Sequence, residues 1–115
     1  MALALLALSI DCGDAAKLAA FWAAALGRPA DPGATPESAA ITPGATGPRL
    51  LFHQVPEPKT VKNRLHLDLA ATDWETEISR LTDLGATRIR EVQENGARWI
   101  TLADPEGNEF DLVRG

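Results

Sequence analysis

Apolar and polar residues alternate along several segments of this chain, and the alternation predicts its strands. The segments LALSIDCGD (6–14) and LHLDLAATD (65–73) each alternate and then end at an aspartate that is predicted to cap the helix after it. Further strands are predicted at 49–55 and, later, in TRIREVQ, ARWITLA and EFDLV. The segment 27–48 is rich in Pro, Gly, Ala and Thr, so we expect short strands and turns there.

A helical spacing of apolar residues follows each aspartate-ended strand. In the first predicted helix, about 14–26, apolar side chains recur at i, i+3, i+4, i+7 and i+8, which makes one buried stripe. Asp14 is the predicted N-cap. The second predicted helix covers about 73–84, with Thr72 and Glu75 as a candidate capping box. Each helix stops at a Leu-Gly pair, where glycine suits the left-handed conformation.

These elements repeat, so each half of the chain reads β-α-β-β-β. We predict one α+β domain over residues 1–115, with a first module at about 3–56, a linker at about 57–63 and a second module at about 64–115. The turn ADPEGNE connects the last two predicted strands. Because Pro and Gly suit a tight turn, it is interpreted as a structural hairpin.

The fifth predicted strand separates two faces of the sheet. Leu65, Leu67 and Leu69 alternate with His66 and Asp68, and the leucine face should pack on the helices. His66 and Asp68 then look into the opposite, concave face. In the first strand, the residues predicted to lie under the helix are Leu6, Leu8 and Ile10.

The same alternation places other side chains on the concave face. They are Asp111 and Val113 in the last strand, and Leu51 and His53 in the fourth. A slip of one residue in the fourth strand would turn its side chains over and put Gln54 in place of His53.

Aligning the sequence of one module with that of the other predicts that several polar side chains lie close together. The aligned pairs are Ala7 with His66, Ser9 with Asp68, and His53 with Asp111. His53, His66 and Asp111 then converge, and two imidazoles with one carboxylate suit a divalent first-row metal that keeps open positions. We predict these three residues as ligands of Zn²⁺, Ni²⁺, Fe²⁺ or Mn²⁺. His66 and Asp111 are also the predicted catalytic acid/base pair.

Apolar side chains on the concave face predict a cavity for a small molecule. Trp99 shares this face with Thr101 in the seventh strand, and Leu51 and Val113 lie on it in two others. An aromatic wall suits a planar or apolar ligand. Simple packing of the sheet would place Trp99 there as well.

Composition narrows the class of partner. The net charge is −5 and the basic residues are scattered, which disfavours nucleic acid. The apolar N-terminus is too short to span a membrane and no basic residue precedes it, so we expect a soluble protein. The single cysteine, Cys12, excludes an internal disulfide and fits a cytoplasmic location.

Three stretches resemble the glyoxalase-like domains of the vicinal oxygen chelate superfamily, which includes bleomycin-resistance proteins and extradiol dioxygenases. They are DCGDAAKLAAFWAAALGR, VPEPKTVKNRLHLDL and LADPEGNEFDLV, and the resemblance covers nearly the whole chain. It implies two βαβββ modules that form a curled mixed sheet around a central cavity, often in a homodimer.

The resemblance also implies which positions would hold a metal. The ligands of metal-binding members come from strands one, four, five and eight, which here are Ala7, His53 (or Gln54), His66 and Asp111. Because an alanine cannot coordinate, this chain departs from the full pattern at Ala7.

Two main functions stay open at this point. One is a metal-assisted lyase, isomerase or dioxygenase, which the coincidence of both histidines with ligand positions favours. The other is a metal-free protein that sequesters an aromatic or drug-like compound, which Ala7 favours. A regulatory or dimerisation module is a third alternative.

Overall fold

The computed structural model describes residues 3–44 and 47–114, and within them the chain forms two helices and seven strands. In chain order they are β1 (Ala7–Cys12), α1 (Ala15–Leu26), β2 (Ser38–Ile41), β3 (Arg49–Gln54), β4 (Asp68–Ala71), α2 (Trp74–Leu84), β5 (Thr87–Glu94), β6 (Ala97–Ala103) and β7 (Glu109–Arg114). The α+β class is confirmed. The described strands form two separate mixed sheets, of three and four strands.

The chain divides into two compact units, Met1–Pro58 and Lys59–Gly115. The boundary falls inside the segment 57–63 that was predicted as a linker. Neither α1 nor α2, the helices of the described residues, is long and apolar enough to cross a membrane.

The first unit packs α1 on a three-stranded sheet in the order β1-β3-β2. Strand β1 runs parallel to β3, and β2 runs antiparallel to it. Leu50 and Phe52 of β3 are almost completely buried, as are Leu18 and Trp22 of the helix. The apolar stripe predicted for this helix therefore forms the core of the unit.

Asp14 caps α1 as predicted. Its carboxylate accepts a hydrogen bond from the backbone N–H of Lys17, and Gly27 ends the helix at φ 64°. A positive φ of this size is the left-handed conformation that glycine adopts without a steric penalty.

Among its described residues, 3–44 and 47–58, the first unit has three strands where four were predicted. Where a further strand was expected, a single antiparallel bridge joins Ala30 to Ile41. Pro29 lies opposite Thr42 beside this bridge and has no N–H to give to the Thr42 carbonyl, which accepts from the guanidinium of Arg28 instead. The ladder therefore does not extend on that side into a strand.

The second unit packs α2 on a four-stranded sheet in the order β4-β7-β6-β5. Only the β4–β7 pair is parallel among these neighbours. The indole N–H of Trp74 donates to the carbonyl of Leu112 at 3.3 Å and fixes the start of the helix on the sheet. Ile100, Leu102 and Phe110 complete a buried apolar face.

The strand that contains the predicted leucine face begins later than expected. Strand β4 starts at Asp68, so Leu65 lies outside it and is 74% exposed. Its predicted packing on the helix is wrong, and so is that of Leu6, which is 81% exposed. In the second unit the reason is Asn63. Its side-chain oxygen accepts from the backbone N–H of Glu109 at 2.9 Å, in place of a strand partner.

The second helix is capped by the aspartate that ends its strand, as predicted, and not through the candidate capping box. Asp73, not Thr72, is the N-cap, and its carboxylate accepts from the N–H and the hydroxyl of Thr76. Asp is as good an N-cap as Thr, and here it stands one residue nearer to the first turn.

The turn before β7 has the structural role that was predicted. The buried carboxylate of Asp104 accepts from the backbone N–H groups of Glu106 and Asn108, and Gly107 adopts φ 86°. This network holds the hairpin between β6 and β7 and thereby sets the position of Asp111.

Candidate functional site

An imidazole and two carboxylates lie together in the second unit. His66 Nδ1 is 3.4 Å from Asp68 Oδ1 and 3.4 Å from Asp111 Oδ2. One ligand atom from each of the three residues lies within 4.8 Å of the others. We call these three residues the His66 cluster.

Asp111 is the best-fixed member of the His66 cluster. It lies in β7 between Asp68 of β4 and Thr101 of β6, which are its register partners. The hydroxyl of Thr101, a residue only 3% exposed, donates to Asp111 Oδ1 at 2.6 Å. Its other oxygen, Oδ2, faces His66. With 15% of the side chain exposed, this carboxylate is held in one orientation and still reaches solvent.

His66 reaches the cluster from the segment that leads into β4. The next residue, Leu67, accepts a hydrogen bond through its carbonyl from the backbone N–H of Asp111 at 2.9 Å. This bond ties the two segments together where His66 approaches the carboxylates. The imidazole is 40% exposed and Asp68 is 62% exposed, so a small molecule or a metal ion can reach both.

Two residues, Asp68 and Thr101, take part in this site although the sequence alone did not assign them to it. Asp68 was placed on the same face as His66 but was not among the predicted ligands. Thr101 was placed beside Trp99 without a role. Alternation put both on the correct face, but nothing local indicates that they meet Asp111 across strands.

His53 belongs to the first unit. Its register partners are Asp11 of β1 and Ser38 of β2. It lies on the face opposite the buried Leu50 and Phe52, so His53 rather than Gln54 shares the polar face with Leu51, as alternation predicted. Its role as a ligand stays a prediction.

The strand registers show that two of the predicted matches between the modules, Ser9 with Asp68 and His53 with Asp111, are incompatible with each other. Ser9 pairs with Leu51 in the first sheet, whereas Asp68 pairs with Asp111 in the second. If Ser9 matches Asp68, the position that matches Asp111 is therefore Leu51. The match of His53 with Asp111 requires a shift of two residues between the sheets.

Side chains of the second sheet form two regular lines on the face that carries Asp111. The polar row, with one residue from each strand, is Asp68, Asp111, Thr101 and Arg90. Two residues further along, the apolar row is Ala70, Val113, Trp99 and Val92. Trp99 and Val113 thus adjoin the His66 cluster, and their role as cavity residues stays a prediction. Leu51 lies on the polar face of the first sheet, between Ser9 and Ala40.

A charged group adjoins the polar row on its other side. Glu109 precedes Asp111 by two residues, so both share a face of β7. Glu109 Oε1 contacts Lys62 Nζ at 3.0 Å and Arg90 Nη2 at 3.3 Å. The hydrogen bond from Lys62, together with the charge of Arg90, holds the pKa of the Glu109 carboxyl below its usual value.

Comparison with known proteins identifies the type of domain. A family model described as a glyoxalase-like domain matches residues 7–113. No curated protein matches the chain.

Several solved structures share the fold. One is a glyoxalase/bleomycin resistance protein/dioxygenase family enzyme from Burkholderia phytofirmans, 17% identical, with a TM-score of 0.74 over 94% of this chain and 95% of that one. A lactoylglutathione lyase from Agrobacterium tumefaciens is 17% identical, with a TM-score of 0.66 over 97% and 93%. A hypothetical protein from S. aureus is 15% identical, with a TM-score of 0.74 over 100% and 95%. At these identities the likeness shows the fold alone.

Proposed function

The chain belongs to the glyoxalase-like domain family, and on that premise we propose that it is a metal-assisted enzyme of the lyase, isomerase or dioxygenase type that acts on a small molecule. The observation that carries this proposal is the His66 cluster, in which one imidazole and two carboxylates share a partly open site.

The residues present fit a divalent cation. One nitrogen and two carboxylate oxygens are a donor set that suits Zn²⁺, Fe²⁺, Mn²⁺ or Ni²⁺. Ligand atoms about 2.1 Å from one ion lie roughly 3 Å apart, close to the 3.4 Å that separates His66 Nδ1 from each carboxylate. The exposed Asp68 can rotate to close the remaining gap.

The coordination differs from the pattern that the resemblance implied. Ala7 offers no donor at the strand-one position. In this proposal Asp68 is a ligand beside His66 and Asp111, and His53 stays a further predicted ligand. Three protein ligands leave positions for water or substrate, which an active site requires.

Each residue of the site has a distinct part. A bound divalent cation supplies polarisation of substrate oxygens and stabilises developing negative charge. Asp111, whose orientation Thr101 fixes, holds His66 in place. Because His66 is engaged as a ligand, a carboxylate of the site or a water accepts the proton from the substrate. The apolar row shields one side of this site from water.

A second candidate is a metal-free protein that binds an aromatic compound, and the apolar row favours it. Trp99, Val92 and Val113 form an apolar strip beside His66. Such a strip binds a planar ligand without any metal. In that case His66 and Asp111 serve as polar contacts or as an acid/base pair.

The test is the metal content of protein purified without a histidine tag or a chelator, followed by titration with Zn²⁺, Ni²⁺, Fe²⁺ and Mn²⁺. We expect tight, saturable binding of at least one ion. His66→Ala and Asp111→Ala should each weaken binding by about 100-fold or more, because even residues that only support a ligand contribute about 10- to 100-fold. Both variants should remain folded, since neither side chain is in the core.

Two matched variants sharpen this test. Asp83→Ala removes an exposed carboxylate of the same unit outside the cluster and should leave metal affinity unchanged. His53→Ala separates the two ligand sets, because a loss like that of His66→Ala would add His53 to the site. Unchanged affinity in both His66→Ala and Asp111→Ala would refute the metal site. Absence of metal under every condition would refute the metal-assisted enzyme and favour the second candidate, a metal-free binding protein.

Assembly and location complete the proposal. We infer a homodimer in the cytoplasm, since relatives of this superfamily are often dimeric and the one cysteine, Cys12, is buried and cannot form an internal disulfide. Light scattering on the purified protein measures the mass, and a value near 12.3 kDa would contradict the dimer.

A further inference from the structure

The face of the second sheet that carries the His66 cluster changes character from one end to the other. The apolar row lies about 7 Å along the strands on one side of Asp111, and Glu109 lies about 7 Å away on the other side. With Glu109 come the two cations that contact it, Lys62 and Arg90. Three zones therefore follow one another: apolar, catalytic and cationic.

The cationic zone has one positive charge in excess. Lys62 and Arg90 both contact one oxygen of Glu109, so two cations share a single carboxylate. Arg90 contacts Glu109 through Nη2 at 3.3 Å. A guanidinium has five N–H donors in a planar fork, so Arg90 can bind a second carboxylate beside the first.

Arg90 also lies in the polar row itself. It is the register partner of Thr101, which in turn is the partner of Asp111, so two strand spacings of about 4.8 Å separate Arg90 from Asp111. The side chain of Arg90 is 46% exposed and that of Lys62 is 64% exposed. An anion can reach both from solvent.

Resting on the proposed function, we propose that Arg90 and Lys62 bind the carboxylate of the substrate, and that the substrate is a monoanionic aryl or alkyl oxo acid. The apolar group lies on Trp99 and Val113. The oxygen-bearing carbons lie at the His66 cluster. The single excess charge matches one carboxylate, and charge complementarity selects it over neutral analogues.

The test uses three small molecules that differ in one feature each. 4-Oxo-4-phenylbutanoate has all three groups, its amide lacks the charge, and 4-oxopentanoate lacks the aromatic ring. Affinities are measured by calorimetry with and without the metal that the protein binds. We expect the aromatic acid to bind about tenfold more tightly than its amide, as for a hydrogen bond to a charged group. It should also bind about tenfold or more tightly than the acid without the ring.

A matched pair of variants assigns the charge preference. Arg90→Gln should abolish most of the preference for acid over amide. Arg98→Gln removes the same charge from the opposite face of the same sheet, where Arg98 contacts Glu91 and Trp74, and should retain the preference. Because only the ratio of two affinities is compared, a modest change in stability does not mimic the result.

The outcomes separate this inference from the proposed function. An equal affinity for acid and amide, equal effects of Arg90→Gln and Arg98→Gln, or no binding of the aromatic acid would each overturn the substrate class. Metal binding that depends on His66 would survive any of these results. If instead His66→Ala loses no metal while the preference for the acid still depends on Arg90, the anion site stands and the metal site falls.

Discussion

The two units present similar mixed sheets but place very different chemistry on them. In the second sheet, Asp68, Asp111 and Thr101 stand side by side and meet His66. In the first sheet the most polar line of register partners is Asp11, His53 and Ser38. It has one imidazole and one carboxylate, and all three residues are exposed. The two units thus have similar backbone folds. The residues that share a register decide which of the two sheets carries a site.

The number of strands adds to this difference. Strand β5 extends the second sheet and contributes Arg90 and Val92, one to each row. The first sheet has a single bridge at Ala30 where a further strand was expected. Its polar face is correspondingly narrower and ends at β2.

The largest effect on stability should come from the core residues Phe52 of the first unit and Phe110 of the second, which are 0% and 1% exposed. Changing either to alanine should reduce the free energy of unfolding by about 3–5 kcal/mol, because each leaves a cavity in a closely packed core. Urea denaturation measures it. Leu65→Ala is the control and should change stability by no more than about 0.5 kcal/mol, since the side chain is exposed. A large loss in Leu65→Ala would show that this side chain is covered in solution.

A smaller effect, on metal affinity, should distinguish Thr101 of the second sheet from Ser38 of the first. Thr101→Val removes the hydroxyl that donates to Asp111, and we expect the affinity for the bound metal to fall about 10- to 100-fold. Thr101→Ser keeps the hydroxyl and should recover most of the affinity. Ser38→Ala, in the first sheet, should change it little. Equal affinities of the Val and Ser variants would exclude a positioning role for this hydroxyl.

Removing the N-cap carboxylate of either helix should reduce the free energy of unfolding by a similar, modest amount. Asp14→Ala and Asp73→Ala each remove a carboxylate that accepts a backbone N–H at the start of a helix. Each should cost about 1 kcal/mol in unfolding free energy. Thr72→Ala is the control for the capping box that sequence alone predicted. A loss in this variant as large as that in Asp73→Ala would contradict the observed cap.

The smallest expected effect is a dependence of the stability of each unit on pH. A hydrogen bond from Thr42, and then the ion pair with Arg49, lower the pKa of Asp31 in the first unit. Contact with Arg98 lowers the pKa of Glu91 in the second. A carboxyl whose folded pKa is lowered stabilises the fold above its unfolded pKa, and this contribution is lost as the pH falls through the folded value.

Thermal unfolding as a function of pH checks this expectation. Asp31→Asn and Glu91→Gln should lower the melting temperature slightly at neutral pH, and the difference from the unsubstituted protein should vanish at about pH 2. A difference that persisted in acid would mean that packing, and not ionisation, accounts for the loss.

Much of the fold follows from local signals. The helices begin within one residue of their predicted starts, since Asp14, Asp73 and the Leu-Gly pairs act within a single turn of chain. The faces of β3, β6 and β7 were also predicted correctly, because alternation has a period of two residues. By contrast, Leu65 follows the same alternation and is exposed, because Asn63 and the turn before β7 interrupt the strand.

The sequence by itself determined the α+β class, the strand-helix start of each unit, the caps and the face on which each candidate residue lies. All of these depend on interactions between residues that are close in the chain. Only the tertiary structure decided that Asp68 and Thr101 flank Asp111, that Arg90 ends the same row, and that β1 pairs with β3 so that His53 stands beside Asp11. The register between distant strands depends on long-range packing and turn geometry, and a shift of two residues preserves every face while changing every neighbour.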